Sequence, residues 1–140
     1  MGFSLAIQAA VYGALTGNAA LMALVQGVYD AQPRPLTGSD ALQFPYVTIG
    51  EDTLNDWSTD TESGADCTIT IHTWSRYEGR AELKSLQAAI YDALHRQALT
   101  VSGYALVSAD WINSDSMTDA DGETRHGVQT FRILLERENP

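Results

Sequence analysis

The side chains able to do chemistry in this 140-residue chain are three histidines, one cysteine and eighteen carboxylates, set against eight lysines and arginines. Nucleophilic catalysis needs a Ser or Cys beside a His that a third group orients. His72 falls in a strand-like run, His95 at a helix end and His126 at the edge of a polar stretch, and none sits in a triad signature. Cys67 stands beside Asp66, whose charge raises a thiol pKa instead of activating it, so Cys67 is expected as an inert core residue. No CxxC, Cys/His cluster or HExxH occurs, which removes the common zinc sites. A lone cysteine also excludes an intramolecular disulfide and suits a reducing compartment.

Asp119-Ala120-Asp121-Gly122-Glu123 has the look of a calcium loop. That loop needs an oxygen ligand two residues before Asp119, where Met117 stands, and a Glu six residues after Gly122, where Val128 stands. Asp-Gly between two strands is instead turn chemistry. Glycine-rich phosphate cradles are absent, since Gly13 and Gly17 match neither GxxxxGK[ST] nor GxGxxG. Acid pairs suited to glycoside or phosphoryl chemistry are plentiful, but they fall in two segments, about 51–66 and 113–126, that read as mobile acidic loops. Carboxylates there lack the rigid shell that catalysis requires, and solvated loop charge is the expectation. No catalytic, metal or cofactor residue is assigned.

The charge sum of −10 argues against sequence-independent grip on phosphate backbones. Composition is otherwise that of one globular domain, 44% hydrophobic and 19% charged, spanning 1–140. The amino-terminal run has no basic flank, and Gln8 and Gly13 interrupt its apolar residues, so neither a signal peptide nor a membrane span is expected.

The elements that carry these residues follow from periodicity. Phe3, Ile7, Ala10, Val11, Ala14 and Leu15 recur at helical spacing, with Ser4 as a candidate cap and Gly17-Asn18 as the stop. Asn18 is placed to cap a short second helical piece at 19–25. Residues 27–44 hold glycines and prolines and read as a connector, with at most a short extended piece at Val28-Tyr29. Pro45-Tyr46-Val47-Thr48-Ile49-Gly50 reads as a strand, and Cys67-Thr68-Ile69-Thr70-Ile71-His72-Thr73-Trp74 as another that alternates cleanly. Ser75-x-x-Glu78 matches a capping box ahead of an apolar stripe of Leu83, Leu86, Ile90, Ala93 and Leu94, which predicts a helix over 78–96. A short strand at 99–101, a long one at 104–112 and a last one at 127–137 follow. The fold class is therefore α+β: a four-stranded, mainly antiparallel sheet with two helices on one face, in the order α-β-β-α-β-β. The expected core is Ile7, Leu15, Val47, Ile49, Ile69, Ile71, Leu86, Ile90, Val107, Phe131 and Ile133. Trp74 points away from Ile69 and Ile71 and is a candidate subunit contact, as are Arg76, Arg80 and Lys84, spaced by four.

A small sheet, two helices, two acidic loops and no active-site signature point to an assembly component. The succession Ala19-Ala20-Leu21-Met22-Ala23-Leu24-Val25, Gly27-Val28-Tyr29 and Phe44-Pro45-Tyr46-Val47-Thr48-Ile49-Gly50 resembles the tail-completion or tail terminator family of long-tailed phages and gene transfer agents. So do Ile71-His72-Thr73-Trp74-Ser75-Arg76, the helix at 79–94 and Asp121-Gly122-Glu123-Thr124-Arg125-His126-Gly127-Val128 leading into Phe131-Arg132. The resemblance implies a virion component of the tail neck, assembled in the host cytoplasm. It would cap the head-proximal end of the tail tube and stop tube growth. The implied working form is a homo-hexamer around a channel for double-stranded DNA, with the major tail tube protein and a head-completion or connector protein as partners and no membrane. Six copies at −10 each carry −60 formal charges, so acids among Glu51, Asp52, Asp56, Asp60, Glu62, Asp115, Asp119, Asp121 and Glu123 are candidates to line the channel or face a partner. Two rivals are an acidic DNA mimic that occupies a nucleic-acid-binding partner and a small α+β ligand-binding domain with a defined pocket.

Overall fold

The structure, a computed structural model, describes residues 2–30 and 43–138. Its elements are α1 (Phe3–Thr16), α2 (Ala19–Met22), β1 (Gly27–Tyr29), β2 (Tyr46–Asp56), β3 (Gly64–Ser75), α3 (Ala81–Leu94), β4 (Tyr104–Thr118) and β5 (Arg125–Arg137). The strands form one sheet in the order β1-β2-β3-β5-β4. The α+β class stands, but the sheet has five strands and is mixed: β1 adds to β2 in parallel, Val28 opposite Val47, where a four-stranded, mainly antiparallel sheet is expected. Three residues with no alternation to read are enough to form that ladder, because α1 and β2 already flank them.

Alternation sets the layers. Along β3 every second residue from Cys67 to Ser75 is buried, and Asp66, Thr68, Thr70, His72 and Trp74 lie half-buried on the other face. α1 contributes Ala6, Ile7, Val11 and Leu15 to the buried side, and α3 contributes Leu83, Leu86, Ala89, Ile90, Ala93 and Leu94. Apart from Leu83, these meet Val47, Ile49, Ile69, Ile71, Phe131, Ile133 and Leu135 in one core. Full burial of such a side chain stabilises by about 1.5–3 kcal/mol. Val107 is the exception in the expected core, at 46% exposure. It is the extra residue of a β4 bulge, between Leu106 opposite Leu135 and Ser108 opposite Leu134, and the bulge turns it outward.

Several element boundaries also differ from expectation. Helix α3 starts at Ala81, not 78, behind Gly79 at φ +80°, and Ser75 caps nothing there. Its hydroxyl instead donates to Glu82 Oε1 at 2.7 Å and accepts from the Tyr77 N–H. Helix α1 begins at Phe3, so Ser4 is inside it and donates to Asp52 Oδ2 at 2.6 Å. Asn18 does cap α2, accepting from Leu21 N–H at 2.9 Å, although α2 ends at Met22. Residues 99–101 form no strand; Leu99 and Val101 are buried from an irregular segment.

The two acidic segments are mostly strand. β2 continues to Asp56 and β3 starts at Gly64, so only 57–63 of the expected loop at 51–66 lies between strands. Likewise β4 continues to Thr118, which leaves 119–124 of the expected loop at 113–126. Because Gly64 pairs with Glu136 and Ser75 with Arg125, the two tips sit at opposite ends of β3. The steps from the first to the last of the 12 residues of β3, at about 3.3 Å each, separate them by roughly 36 Å.

Candidate assembly surface

The sheet face turned away from the helices is shaped by bulges. In β2, Gly50 and Glu51 together oppose Thr70, whose hydroxyl donates to the Glu51 carbonyl at 3.1 Å. A Cβ at Gly50 would stand 2.5 Å from His72 Cδ2, so glycine is what lets the bulge close over that ring. In β4, Val107 and Ile112 are bulge residues, 46% and 51% exposed, on the outermost strand of the sheet. β4 therefore presents a strand edge that is occupied in its middle, where the Ala109 carbonyl accepts from the Arg96 N–H at 2.7 Å and the Trp111 N–H donates to His95 Nδ1 at 3.0 Å, together with exposed Trp111, Ile112 and Met117. Bulges of this kind twist an edge and restrict which strands can add to it.

At one end of this face lies an aromatic and imidazole stack. Trp74 lies on His126 with ring centroids 3.8 Å apart and planes 10° from parallel, and its Nε1 donates to Thr48 Oγ1 at 3.2 Å. Tyr46 stacks on the Trp74 ring at 6.0 Å. His72 Nδ1 lies 2.7 Å from His126 Nε2. Glu51 Oε2 is 3.3 Å from His72 Nε2, and Asp119 Oδ1 is 3.7 Å from His126 Nδ1. Burial pushes His126 below the usual imidazole value, and His72 adds to that, while Asp119 and Glu51 pull the other way. The Glu51 carboxyl is held below the usual range by its backbone N–H, with Thr70 and His72 adding to the effect. Sequence reasoning treated the histidines separately. The signal that joins them is register: β5 pairs with β3 as well as with β4, which sets His72 opposite Val128 and Trp74 opposite His126. Cys67 matches its expected character, fully buried, with burial first and then Asp52 and Asp66 pushing the thiol up to about 12.

The basic candidates do not share a helical face. Arg76 precedes α3, donates from Nε to Thr124 Oγ1 at 3.3 Å, approaches Asp121 at 3.9 Å and covers the Phe44 ring at 4.4 Å. Arg80 is the residue before the first turn of α3, and only Arg80 and Lys84 are exposed one turn apart. The acidic candidates divide among several places. Glu51 and Asp119 flank the histidines, and Asp52 meets Ser4 on the helix side. Asp56 accepts from Ser58 Oγ at 2.6 Å, while Asp60 and Glu62 are exposed at the 57–63 tip. Asp115 is exposed on β4 and Glu123 on the 119–124 tip. Asp121 folds that tip: its carboxylate accepts from the Thr124 N–H and hydroxyl and the Glu123 N–H at 2.7–2.8 Å, which draws its pKa down to about 2. Asp66 accepts a two-pronged bond from Arg132, 3.0 Å to Nε and 2.7 Å to Nη2.

Among the described residues no group of three or more His, Cys, Asp or Glu is placed to hold a metal ion. No helix there is long and apolar enough to cross a membrane. One hollow, between α1, the end of α3 and residues 97–100, is lined by Ala9, Ala10, Gly13 and Ala14 together with the polar side chains of Asn18, Asp92, Gln97 and Thr100.

Comparison with known proteins assigns this architecture. The sequence profile of the family described as tail completion protein gp17 matches residues 9–136. The tail completion protein gp17 of Bacillus phage SPP1 is 28% identical over 92 residues, 66% of this chain and 68% of that one. The solved structure of the SPP1 gp17 protein superposes with a TM-score of 0.62 at 27% identity, covering 97% of this chain and 91% of the other. A chain from the virion of a native gene transfer agent particle superposes with a TM-score of 0.80 at 34% identity, covering 92% of this chain and 93% of the other. This chain belongs to the tail completion protein gp17 family, a family of structural proteins of the virion tail and not of enzymes.

Proposed function

We propose that this chain closes into a homo-hexameric ring at the head-proximal end of a tail tube, ends polymerisation of the major tail tube protein and offers its other side to a head-completion or connector protein. The observation that carries the reading is the superposition over nearly the whole of both chains on a component of a gene transfer agent virion. Physical features of the chain support it. A heterologous contact that closes by rotation makes a ring with two unlike sides, and the two hairpin tips at opposite ends of β3 give each subunit two unlike ends. β4, at the edge of the sheet and bonded there to residues 95–96 and Gln87 among the described residues, offers the neighbour the rest of its edge and apolar side chains. Growth stops because one side matches the tube subunit and the other recruits no further copy.

In this reading the ring surrounds the path of double-stranded DNA in the tail neck, after assembly in the host cytoplasm. Its charge, −60 for six copies at −10 each, keeps the wall non-adhesive. Trp74, Arg80 and Lys84 are the side chains proposed for subunit contact, with Arg76 held partly by its own subunit. The test is electron microscopy of particles assembled with and without the protein. Tubes of uncontrolled length that fail to join heads are expected in its absence, with a six-fold ring at the tube end in its presence. Tubes of normal length that still carry heads, assembled without the protein, would sink the reading.

A further inference from the structure

The first 29 residues carry no charged side chain, although charged residues make up 19% of the chain and its sum is −10. Helix α1 is accordingly apolar beyond its core face: Leu5, Ala9 and Tyr12, spaced by four and three, are exposed along one side of it. With Val28 and Tyr29 they line a hollow between α1 and the edge strand β1, where Asp30 is the one charged group. Asp30 accepts from Gln8 Nε2 at 3.4 Å and has no basic partner among the described residues. The opposite edge of the sheet, four strand spacings or about 19 Å away, has a second hollow. Ala88 and Tyr91 of α3 and Trp111 of β4 line it, and the exposed bulge residue Ile112 follows. Lys84 lies one turn before Ala88 on the same helical face, exposed and without a carboxylate partner among the described residues.

We propose that in the ring described above, on which this contact rests, the α1–β1 flank of one copy docks on the α3–β4 flank of the next, with Leu5 meeting Trp111 and Ile112 and Asp30 meeting Lys84. Charge selects a second copy as the occupant. Copies at −10 each repel, so they meet most readily where carboxylates are sparse, and here one flank is uncharged but for Asp30 while the other brings the cation. Height selects the same pairing. A ring whose axis follows β3 closes only where the two flanks meet at equal height along the strands. Ser4 donates to Asp52 at 2.6 Å, and Asp52, Ile69, Phe131 and Trp111 form one row across the sheet, so Leu5 and Trp111 are level. Tyr29, Thr48, His72, Val128 and Asp115 form another row. Leu83 lies against Gly127, beside Val128, which sets Lys84 level with Asp30. Asp115 points to the other face of the sheet, paired with Val128, and Asp92 stands two turns of α3 beyond Lys84, about 12 Å off that row. Because the flanks are different surfaces, the contact is heterologous and closes when repeated by rotation.

Particles assembled with a Leu5→Cys, Ile112→Cys double variant in place of the parent test this, treated with a short bis-maleimide and inspected by electron microscopy. The native Cys67 is buried and does not compete. A ladder of cross-linked species up to six copies is expected from the double variant, with monomer only from either single variant. Same-residue dimers from Leu5→Cys alone, or its linkage to a tube or connector protein, would give the α1 flank to another contact and overturn the proposal. Visible rings without the ladder overturn it too while leaving the ring itself standing, whereas particles with no ring remove both. The charge pair gives a second measurement if the cysteines disturb assembly. Asp30→Lys and Lys84→Asp should each lower the yield of rings several-fold and together restore it; losses that simply add overturn the pairing.

Discussion

Gly127 and Gln87 meet where β5 passes under α3, and a Cβ on Gly127 would stand 2.5 Å from Gln87 Nε2 and 3.3 Å from Leu83 Cδ1. Gln87 cannot retreat without cost, because its Nε2 donates to the Asp115 carbonyl at 3.0 Å and its own carbonyl accepts from Gln129 Nε2 at 2.9 Å. Gly127→Ala should therefore destabilise the fold by about 1–3 kcal/mol, as overpacking does in other cores. Urea unfolding followed by circular dichroism measures it. An unchanged midpoint would mean that α3 shifts freely over β5.

Asp121 makes the 119–124 tip pH-sensitive in a defined direction. Its folded pKa is depressed to about 2 from an ordinary 3.8, chiefly by the Thr124 N–H and hydroxyl. A depressed carboxylate contributes stability that is present above the unfolded value and is lost as pH falls through the folded one. The contribution is thus complete above about pH 4 and decays toward pH 2. Asp121→Asn should lower the urea midpoint at neutral pH and flatten its decline in that acid window. The group is exposed, so the effect is small, and parallel acid curves for the two proteins would count against it.

Cys67 should be silent as a nucleophile. With its thiol pushed to about 12 against an ordinary 9.0, the thiolate fraction is roughly a thousandfold lower than for an ordinary cysteine. It is also wholly buried in the core between sheet and helices. Alkylation at mildly alkaline pH should be negligible for the native chain and rapid in denaturant, as read by mass spectrometry. Fast labelling of the native protein would mean that the β2–β3 region opens locally.

What the sequence revealed depended on which physical signal each element used. β3 was legible because one face is buried along its length and alternation follows directly. The outer parts of β2 and β4 were not, because residues from Glu51 to Asp56 and from Ser114 to Thr118 are mostly exposed on both faces and carry no apolar period. Their acidic composition then imitates a loop, while the ladder that makes them strands is backbone hydrogen bonding that composition does not encode. The same limit hid the histidine pair. Alternation along β3 puts His72 on the outward face, but its partner follows from the β3–β5 register, a contact across 54 positions. Arg76, Arg80 and Lys84 were grouped by helical spacing that Gly79 interrupts.

That interruption separates the basic side chains experimentally. Arg80 and Lys84 are exposed on the helix side of the tip, whereas Arg76 holds Thr124, Asp121 and Phe44 within its own subunit. Charge reversal at Arg80 should weaken hexamers on a sizing column while leaving monomer stability within about 0.5 kcal/mol. Reversal at Arg76 should lower stability as well, since it sets a carboxylate against Asp121. Equal assembly by the Arg80 variant and the parent would remove Arg80 from the proposed contact.

The acidic tips offer the sharpest test of the proposed channel because they lie roughly 36 Å apart along β3, and neutralising one leaves the other in place. Asp60 and Glu62 at one tip and Glu123 with nearby Asp115 at the other end are exposed. Glu51, Asp119 and Asp121 are engaged within the fold and unsuited to the comparison. If carboxylates at one end line the bore, changing that set to Asn and Gln should raise retention of linear double-stranded DNA on purified rings several-fold at low salt. The effect should fade as salt screens the wall beyond about 10 Å at 0.1 M. The set at the other end should alter attachment of tube or connector instead. No change in DNA retention from either set would assign these acids to solubility of the unassembled subunit, because like charge on a ring subunit also prevents premature association.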